Sequence, residues 1–332
     1  MKKIAVLTSG GDAPGMNPAI RSVVRTAIYK GLEVVGVKHG YKGLIEKDFF
    51  PMHRGSVADI VQRGGTILLS ARCEEFKTEE GRKTAYANMR EEGIDALVVI
   101  GGDGSLKGVQ KINAESEIKA VGIPGTIDND LSCTDYTIGV DTAMNTILDA
   151  INKIRDTATS HERTFVIECM GRDSGYLALM TGLAGGAEYI LVPEIDFTPQ
   201  QVCDKITQGF DRGKLHSLIL IAEGVKAPFS DLSEYNGSPG MAMGDLIRER
   251  TGMETRVTIL GHLQRGGSPT ATDRIVASRM GGKAVDLLLE GKRNKMVTYK
   301  DNSIGFCDVE DAIKKTETIN MDIYNLANIL SM

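Results

Sequence analysis

Ile94-Asp95-Ala96-Leu97-Val98-Val99-Ile100-Gly101-Gly102-Asp103-Gly104-Ser105 decides the fold, because an apolar, β-branched run stops at a glycine-acid turn and helix-like periodicity follows it. Ile118-Lys119-Ala120-Val121-Gly122-Ile123 repeats the form and ends in Pro124-Gly125-Thr126-Ile127-Asp128-Asn129-Asp130. Apolar runs of the same kind recur as IAVL, FVIE, YILV, LILIA and VTIL, each closed by glycine or a polar turn. Strands that are apolar on both faces and alternate with helices predict an α/β fold, a mostly parallel sheet covered on each side. In such sheets ligands bind beyond the carboxyl ends of the strands, where these glycine-rich turns fall.

The two turns carry complementary chemistry. Small residues at Gly101–Ser105 let backbone N–H groups approach phosphates, and the helix that follows adds the positive end of its dipole. Asp103 would repel phosphate oxygens unless a cation sat between them, which predicts Mg²⁺ held through a nucleotide. In the second turn Asp128 and Asp130 flank an asparagine, so one carboxylate can accept a hydroxyl proton while the other supports metal or substrate. Together the turns point to phosphoryl transfer.

At 332 residues the chain exceeds the roughly 250 to 300 residues over which one core keeps growing, so two lobes are expected. The expected boundaries are 1–138 returning at about 262–305, and 139–261 with about 306–332. Hydrophobic content of 42% and charged content of 25% are ordinary for a globular protein, and no stretch approaches the roughly 20 apolar residues of a spanning helix. Met1-Lys2-Lys3 leads into a short first strand rather than a secretory signal, so the expected location is the cytoplasm, with no membrane partner. Five cysteines, with no C-x-x-C pair, give neither a disulfide framework nor a zinc site. A net charge of −5 offers no general attraction to nucleic acid, so any anion site must be local.

Asn17 reads as a helix cap with Pro18 at the first helical position and Ile20, Val24, Ala27 and Ile28 as the buried stripe. Arg21 and Arg25 stand four apart beside it with no acid one turn away, which leaves two readings, solvated arginines or an anion pocket. A second helix is expected from about Thr142 to Thr157, with Ala143, Ile147, Ile151 and Ile154 at core spacing. Residues 225–243, rich in Pro, Ser and Gly, read as an exposed or mobile excursion. GGDAPGMN after the first strand and GRDSGYLA after FVIECM share a glycine-acid texture that hints at duplicated lobes.

Six motifs, LTSGGDAPGMN, RGGT, GGDGS, PGTIDND, MGRDSG and GHLQRGGSP, occur in an order that resembles the 6-phosphofructokinase family, specifically its short bacterial ATP-dependent members. GGDGS alone also fits a loop of the NAD-kinase or diacylglycerol-kinase type, but those enzymes are not expected to carry PGTIDND and GHLQRGGSP. The resemblance implies the phosphofructokinase fold, two Rossmann-like α/β/α lobes, one for ATP and one for fructose 6-phosphate. It implies that Asp128 takes the proton from the sugar 1-hydroxyl, that Thr126 and Arg172 stabilise the transferring phosphoryl group, and that Asp103 and Asp130 handle Mg²⁺.

By the same resemblance Gly11, Tyr41, Arg72, Cys73, Gly102, Asp103, Gly104, Ser105 and Gly108 contact ATP, with Cys73 a pocket wall. The sugar phosphate falls to Arg163, Met170, Gly171, Arg172, Glu223, Arg256, His262 and Arg265, of which Arg163 and Arg256 reach it from a neighbouring subunit of a homotetramer. Forked guanidinium groups suit a dianionic phosphate. An ADP or phosphoenolpyruvate effector site is implied at Arg21, Arg25, Arg54, Arg155, Gly186, Glu188, Arg212, Lys214 and His216, the last standing by a position that is a second lysine in well-studied bacterial members. Gly104 and Gly125 stand where pyrophosphate-dependent relatives typically carry Asp and Lys, so both imply ATP as donor. A pyrophosphate-dependent enzyme and a non-catalytic sugar-phosphate sensor are the competing readings; a sensor is expected to lose Asp128 or Arg172, and both are present.

Overall fold

The computed structural model describes residues 1–229, 231–314 and 319–331, and its backbone divides into two units, Met1–Thr142 with Arg265–Thr316 and Ala143–Gln264 with Glu317–Met332. In the first unit the chain runs β1 (Lys3–Ser9), α1 (Met16–Tyr29), β2 (Glu33–Val37), α2 (Tyr41–Glu46), β3 (Phe49–Met52), α3 (Glu79–Glu91), β4 (Ala96–Gly101), α4 (Asp103–Glu115) and β5 (Lys119–Pro124). The boundary falls within α5 (Val140–His161), a longer helix than the spacing of its core residues predicts. The second unit follows with β6 (Thr164–Cys169), α6 (Tyr176–Gly185), β7 (Tyr189–Leu191), α7 (Pro199–Asp211), β8 (Ser217–Ala222), α8 (Pro239–Thr251) and β9 (Thr255–Ile259). The chain then returns to the first unit as α9 (Ala271–Leu289), β10 (Lys295–Lys300), β11 (Ser303–Asp308) and α10 (Val309–Ala312), and ends with α11 (Met321–Leu330) in the second.

The first unit holds a seven-stranded sheet in the order β11-β10-β5-β4-β1-β2-β3, parallel except at its two edge pairs. Ala5, Leu7, Val35, Leu97 and Val99 join residues of α3, α4 and α10 in one buried cluster. The alternate residues Ile4, Val6, Val98 and Ile100 are equally buried and, by the two-residue period of a strand, lie on the other face, where α1 and α9 pack. The second unit holds a four-stranded parallel sheet in the order β7-β8-β6-β9. Both sheets agree with the expected mostly parallel α/β class.

Each of the seven apolar runs forms a strand, whereas β2, β3, β10 and β11 escape the sequence reading. They are the two outermost strands on each side of the larger sheet; β3 and β11 are partly exposed, whereas β2 is buried on both faces but its apolar run is only Val34-Val35-Gly36-Val37, too short and glycine-broken to stand out. Pro51 in β3 is tolerated because an edge strand needs no N–H there. For β10 and β11 a signal existed: Lys300 pairs with Ser303 around Asp301 and Asn302, whose φ angles of 48° and 57° make a two-residue hairpin turn. This hairpin also moves the expected lobe boundary. The chain was expected to pass to the second lobe at about 306, but β11 continues to Asp308 and leads into Val309 and Ala312, which are buried in the first unit's core.

Asn17 does not cap α1. The helix starts at Met16 behind Gly15, whose φ of 107° suits a residue without a side chain. Asn17 is instead buried and staples a distant loop, donating to Arg63 O (3.0 Å) and Gly64 O (3.2 Å) and accepting from Ile67 N (2.8 Å). The excursion at 225–243, of which residue 230 lies outside the described residues, is partly ordered packing. Ser238 caps α8 and Gly240, Ala242 and Met243 are buried.

Candidate active site

In the first unit β1 has β2 on one side and β4 on the other, so the strand order reverses at β1 and leaves a crevice at the carboxyl ends of β1 and β4. Ser9 pairs with Gly101 in register there. Ser105 Oγ crosses to Ser9 O at 3.0 Å and is buried, tying the two turns together. The buried Tyr41 donates to Ser105 O at 2.5 Å and stacks on Phe76 with ring centroids 4.2 Å apart. Burial pushes its phenol far above the ordinary range. Its ring occupies the space a side chain at Gly108 would need. Ser70 Oγ donates to Gly10 O at 2.5 Å, which brings the segment carrying the exposed Arg72 and the half-buried Cys73 to the same turn. The Arg265 guanidinium lies where a Cβ at Gly11 would stand. Thus Tyr41, Ser105 and Gly108 meet beside the turns after β1 and β4, while Arg72 and Cys73 follow the Ser70 contact by two and three residues, Cys73 packing against the core.

Gly104 and Gly125 differ. A Cβ at Gly104 meets nothing within 4 Å, whereas one at Gly125 lies 3.1 Å from Ile100 and 3.2 Å from Met16. Gly102 caps α4 through backbone alone, and Asp103 is the first helical residue, where a carboxylate is favoured by the helix dipole. Asp103 Oδ2 is 2.8 Å from Lys107 Nζ, the cation that offsets its charge in this structure.

The TIDND turn follows β5 and is held both by the neighbouring β4 turn and by residues from further along the chain. Gly125 N donates to Gly101 O at 3.0 Å, and Ile138 N donates to Pro124 O at 3.0 Å. Thr137 Oγ1 lies 2.7 Å from Thr126 O and 3.0 Å from Asn129 Oδ1, its one hydrogen shared between the two acceptors. Asn129 accepts in addition from Thr137 N at 3.0 Å and sits at φ 47°, a left-handed conformation that asparagine tolerates. Within this frame Asp128 is 2% exposed, with its N–H on Thr126 Oγ1 at 3.2 Å. Asp130 is half-buried. Sequence reasoning missed Asn129 and Thr137 because it weighed only the carboxylates of the motif.

In the second unit Met170, Gly171 and Arg172 leave β6 while Glu223 leaves β8. Glu223 N donates to Cys169 O at 2.8 Å, and Glu223 Oε1 accepts from Gly171 N (3.2 Å) and Arg172 N (2.9 Å). One oxygen of Glu223 therefore fixes the turn that aims Arg172, which itself is left-handed at φ 51°. The fully buried Gln264 accepts from Met170 N at 3.1 Å, a second anchor that the sequence did not flag. A cavity of about 690 Å³ is lined by Arg172, Glu223, Glu168, Lys226, Tyr235 and Met241 among others. Glu168, at its floor, accepts from Ser238 Oγ (2.5 Å) and Gly240 N (2.9 Å), and burial raises its carboxyl above the ordinary value against those hydrogen bonds. His262 is exposed just beyond β9.

Arg163 and Arg256 are not brought to this cavity. They sit at the amino ends of β6 and β9, joined through Glu254, which is 2.8 Å from Arg163 Nε and 2.6 Å from Arg256. Met170 and Arg172 lie at the carboxyl end of β6, a strand length of roughly 20 Å away.

The residues assigned to an effector divide between the units. In the first, the short turn carrying Arg54 packs against α1, which carries Arg21 and Arg25. Among the described residues no carboxylate lies within 4.0 Å of Arg21 or Arg25. In the second, Arg155 donates to Gly185 O and Gly186 O, and Glu188 is 3.7 Å from Lys214. Lys205, not singled out in the sequence, is a neighbour of these residues: its Nζ donates to Ser331 Oγ at 2.7 Å while Lys214 Nζ donates to Ser331 O at 3.4 Å, and desolvation first, then Lys214 and Arg212, hold its pKa below the usual lysine range.

Among the described residues no helix is long and apolar enough to cross a membrane, and no group of three or more His, Cys, Asp or Glu can cage a metal. The family Phosphofructokinase matches residues 3–288. The ATP-dependent 6-phosphofructokinase of Halothermothrix orenii is 68% identical over 332 residues, covering 100% of each chain. That of Clostridium novyi is 55% identical over 331 residues, also covering 100% of each. Among solved structures, phosphofructokinase from Saccharomyces cerevisiae matches with a TM-score of 0.86 and 37% identity over 100% of this chain, which spans 48% of the yeast polypeptide. A pyrophosphate-dependent phosphofructokinase from Marinobacter aquaeolei shares the fold, with a TM-score of 0.83 at 22% identity over 97% of this chain and 86% of that one.

Proposed function

This chain belongs to the phosphofructokinase family, and from that premise we propose that it transfers the γ-phosphoryl group of ATP to the 1-hydroxyl of fructose 6-phosphate. The observation that carries the reading is the placement of a glycine bed and a buried aspartate at the carboxyl ends of neighbouring strands, linked by Gly125 N to Gly101 O at 3.0 Å. A phosphate on the bed and an alcohol beside Asp128 then belong to one crevice.

Direct in-line transfer needs three things of the chain. Asp128 accepts the hydroxyl proton as the sugar oxygen bonds to the γ-phosphorus and the bond to the ADP oxygen breaks. Thr126 keeps its hydroxyl hydrogen for a phosphoryl oxygen, because Oγ1 serves as acceptor to Asp128 N. Arg172 stabilises the charge in passage, and its guanidinium stays protonated throughout. Asp103 and Asp130 would hold Mg²⁺, a hard cation usually bound through one or two carboxylates together with the substrate's phosphates. An ion held there would supply neutralisation of phosphate charge.

Of the two glycines, Gly104 supports ATP more directly. Its open space is not required by the protein's own packing, whereas packing against Ile100 and Met16 by itself limits position 125. The roughly 20 Å separation of Arg163 and Arg256 from Arg172 along β6 supports their acting on a neighbouring subunit's sugar phosphate in a homotetramer. The arginines without carboxylate partners on α1, with Arg54 and the Arg155–Glu188–Lys214 group, are assigned to ADP or phosphoenolpyruvate. The enzyme is assigned to the cytoplasm.

Steady-state turnover with fructose 6-phosphate tests the reading, varying ATP against pyrophosphate and adding ADP or phosphoenolpyruvate. Turnover with ATP well above that with pyrophosphate is expected. Faster turnover with pyrophosphate would overturn the donor assignment, and no turnover with either would leave the sensor reading.

A further inference from the structure

α9 begins with Thr270 as N-cap and carries an aspartate, Asp273, at its third helical position. An acid there normally reaches back to the N-cap N–H. Here Thr142 Oγ1 takes that N–H at 3.0 Å, so the carboxylate is spent elsewhere. Asp273 is fully buried, and its Oδ1 accepts from Tyr136 Oη (2.8 Å) and Gly139 N (2.6 Å) while its Oδ2 accepts from Thr142 N (2.8 Å) and Thr142 Oγ1 (2.5 Å). Four donors satisfy a carboxylate whose burial is otherwise costly. All four come from the segment that closes the TIDND turn.

Thr137 lies between Tyr136 and Gly139 and holds Thr126 O and Asn129 Oδ1. Two sets of hydrogen bonds, joined by the short backbone of residues 136–142, therefore connect the start of α9 to Thr126 and Asn129, which bracket Asp128. We infer that Asp273 is a positioning residue for the proton-accepting turn, fixing Thr126 and Asp128 against the sheet from well over a hundred residues downstream. The inference rests on the proposed role of Asp128. Neither Asp273 nor Tyr136 has to touch substrate, and their effect falls on the transferring step.

The test is a double-mutant cycle on the full-length chain, with kcat and KM for fructose 6-phosphate and thermal unfolding measured for Asp273→Asn, Tyr136→Phe, Asp128→Asn and the two doubles. Asp273→Asn is expected to lower kcat about 10-fold to 10²-fold with KM within about 3-fold, because a small misplacement of a reacting group has that effect. Tyr136→Phe deletes one donor and keeps the ring, so a loss of about 3-fold to 10-fold with nearly unchanged unfolding is expected. In the Asp128→Asn background each second change is expected to cost less than about 2-fold, since residues acting as a unit are not additive. Equal losses in both backgrounds, or full activity of Tyr136→Phe, would overturn the positioning role while leaving Asp128 as base. Full activity of Asp128→Asn would remove the base itself, and the inference with it. If Asp273→Asn does not fold, the Tyr136 arm of the cycle decides alone.

Discussion

Two turns lie side by side on β4 and β5 and are built by opposite means. Gly101–Ser105 is made from absences: glycines at 101, 102 and 104, a backbone cap, and a single hydroxyl on Ser9 O. Thr126–Asp130 is made from side chains, held by Thr137, Asn129 and the distant Asp273. The difference matches the roles proposed for the two turns. A phosphate bed works by letting backbone approach the ligand, which local sequence supplies. A general base works only when its oxygen is held within hydrogen-bond reach of one proton, which demands support from the tertiary structure.

The contrast breaks most readily at the base. Asp128→Asn is expected to lower turnover by about 10² to 10⁴ while fructose 6-phosphate still binds, since a positioned proton acceptor is lost and shape is kept. Unchanged kcat in a steady-state assay would remove Asp128 from the mechanism. Next in size, Gly104→Asp is expected to cut kcat/KM for ATP about 10²-fold, the scale of like-charge repulsion near a protein surface. Its melting temperature should hardly move, because the new side chain enters open space at a helix N-terminus that favours an acid. A large drop in melting temperature would show that Gly104 serves the fold rather than the ligand.

Asn129→Gly keeps the left-handed backbone and deletes the side chain that the second turn depends on. It is expected to lose about 1 to 3 kcal/mol of stability in denaturant unfolding, the scale of buried hydrogen-bond partners left unmade, together with turnover. Retained activity with lost stability would separate the frame from the chemistry. The smallest effect is expected on the first turn, from Lys107→Ala. An exposed i,i+4 pair is worth at most about 0.5 kcal/mol, so stability stays put. The Mg²⁺ concentration for half-maximal turnover should fall, since Asp103 no longer shares its charge with Lys107. An unchanged or higher Mg²⁺ requirement would argue that Asp103 does not face the ion.

The first turn was legible because it is local: strand, glycines, acid and helix follow one another within a dozen residues. The second was half legible. Its carboxylates stand out, but their supports do not, since Thr137 and Asp273 are ordinary residues until the fold brings them together. Asn17 shows the same limit in reverse: its place before a helix suggested a cap, and only the loop at Arg63–Ile67 made a buried staple the better use of its amide. Glu223 and Gln264 tell a similar story, since the hydrogen bonds that aim Arg172 join strands far apart in the chain.

By itself the sequence determined the α/β class, the core strands of both sheets and the residues that bear charge and glycine at their carboxyl ends, because periodicity and turn chemistry act over short separations. Tertiary structure decided the edge strands, the reach of the first unit through β11 and α10, and which buried polar groups hold the turn at residues 126–130. The reason is physical: a buried hydrogen bond is set by which segments meet in space, and that is written only in the packing of the whole chain.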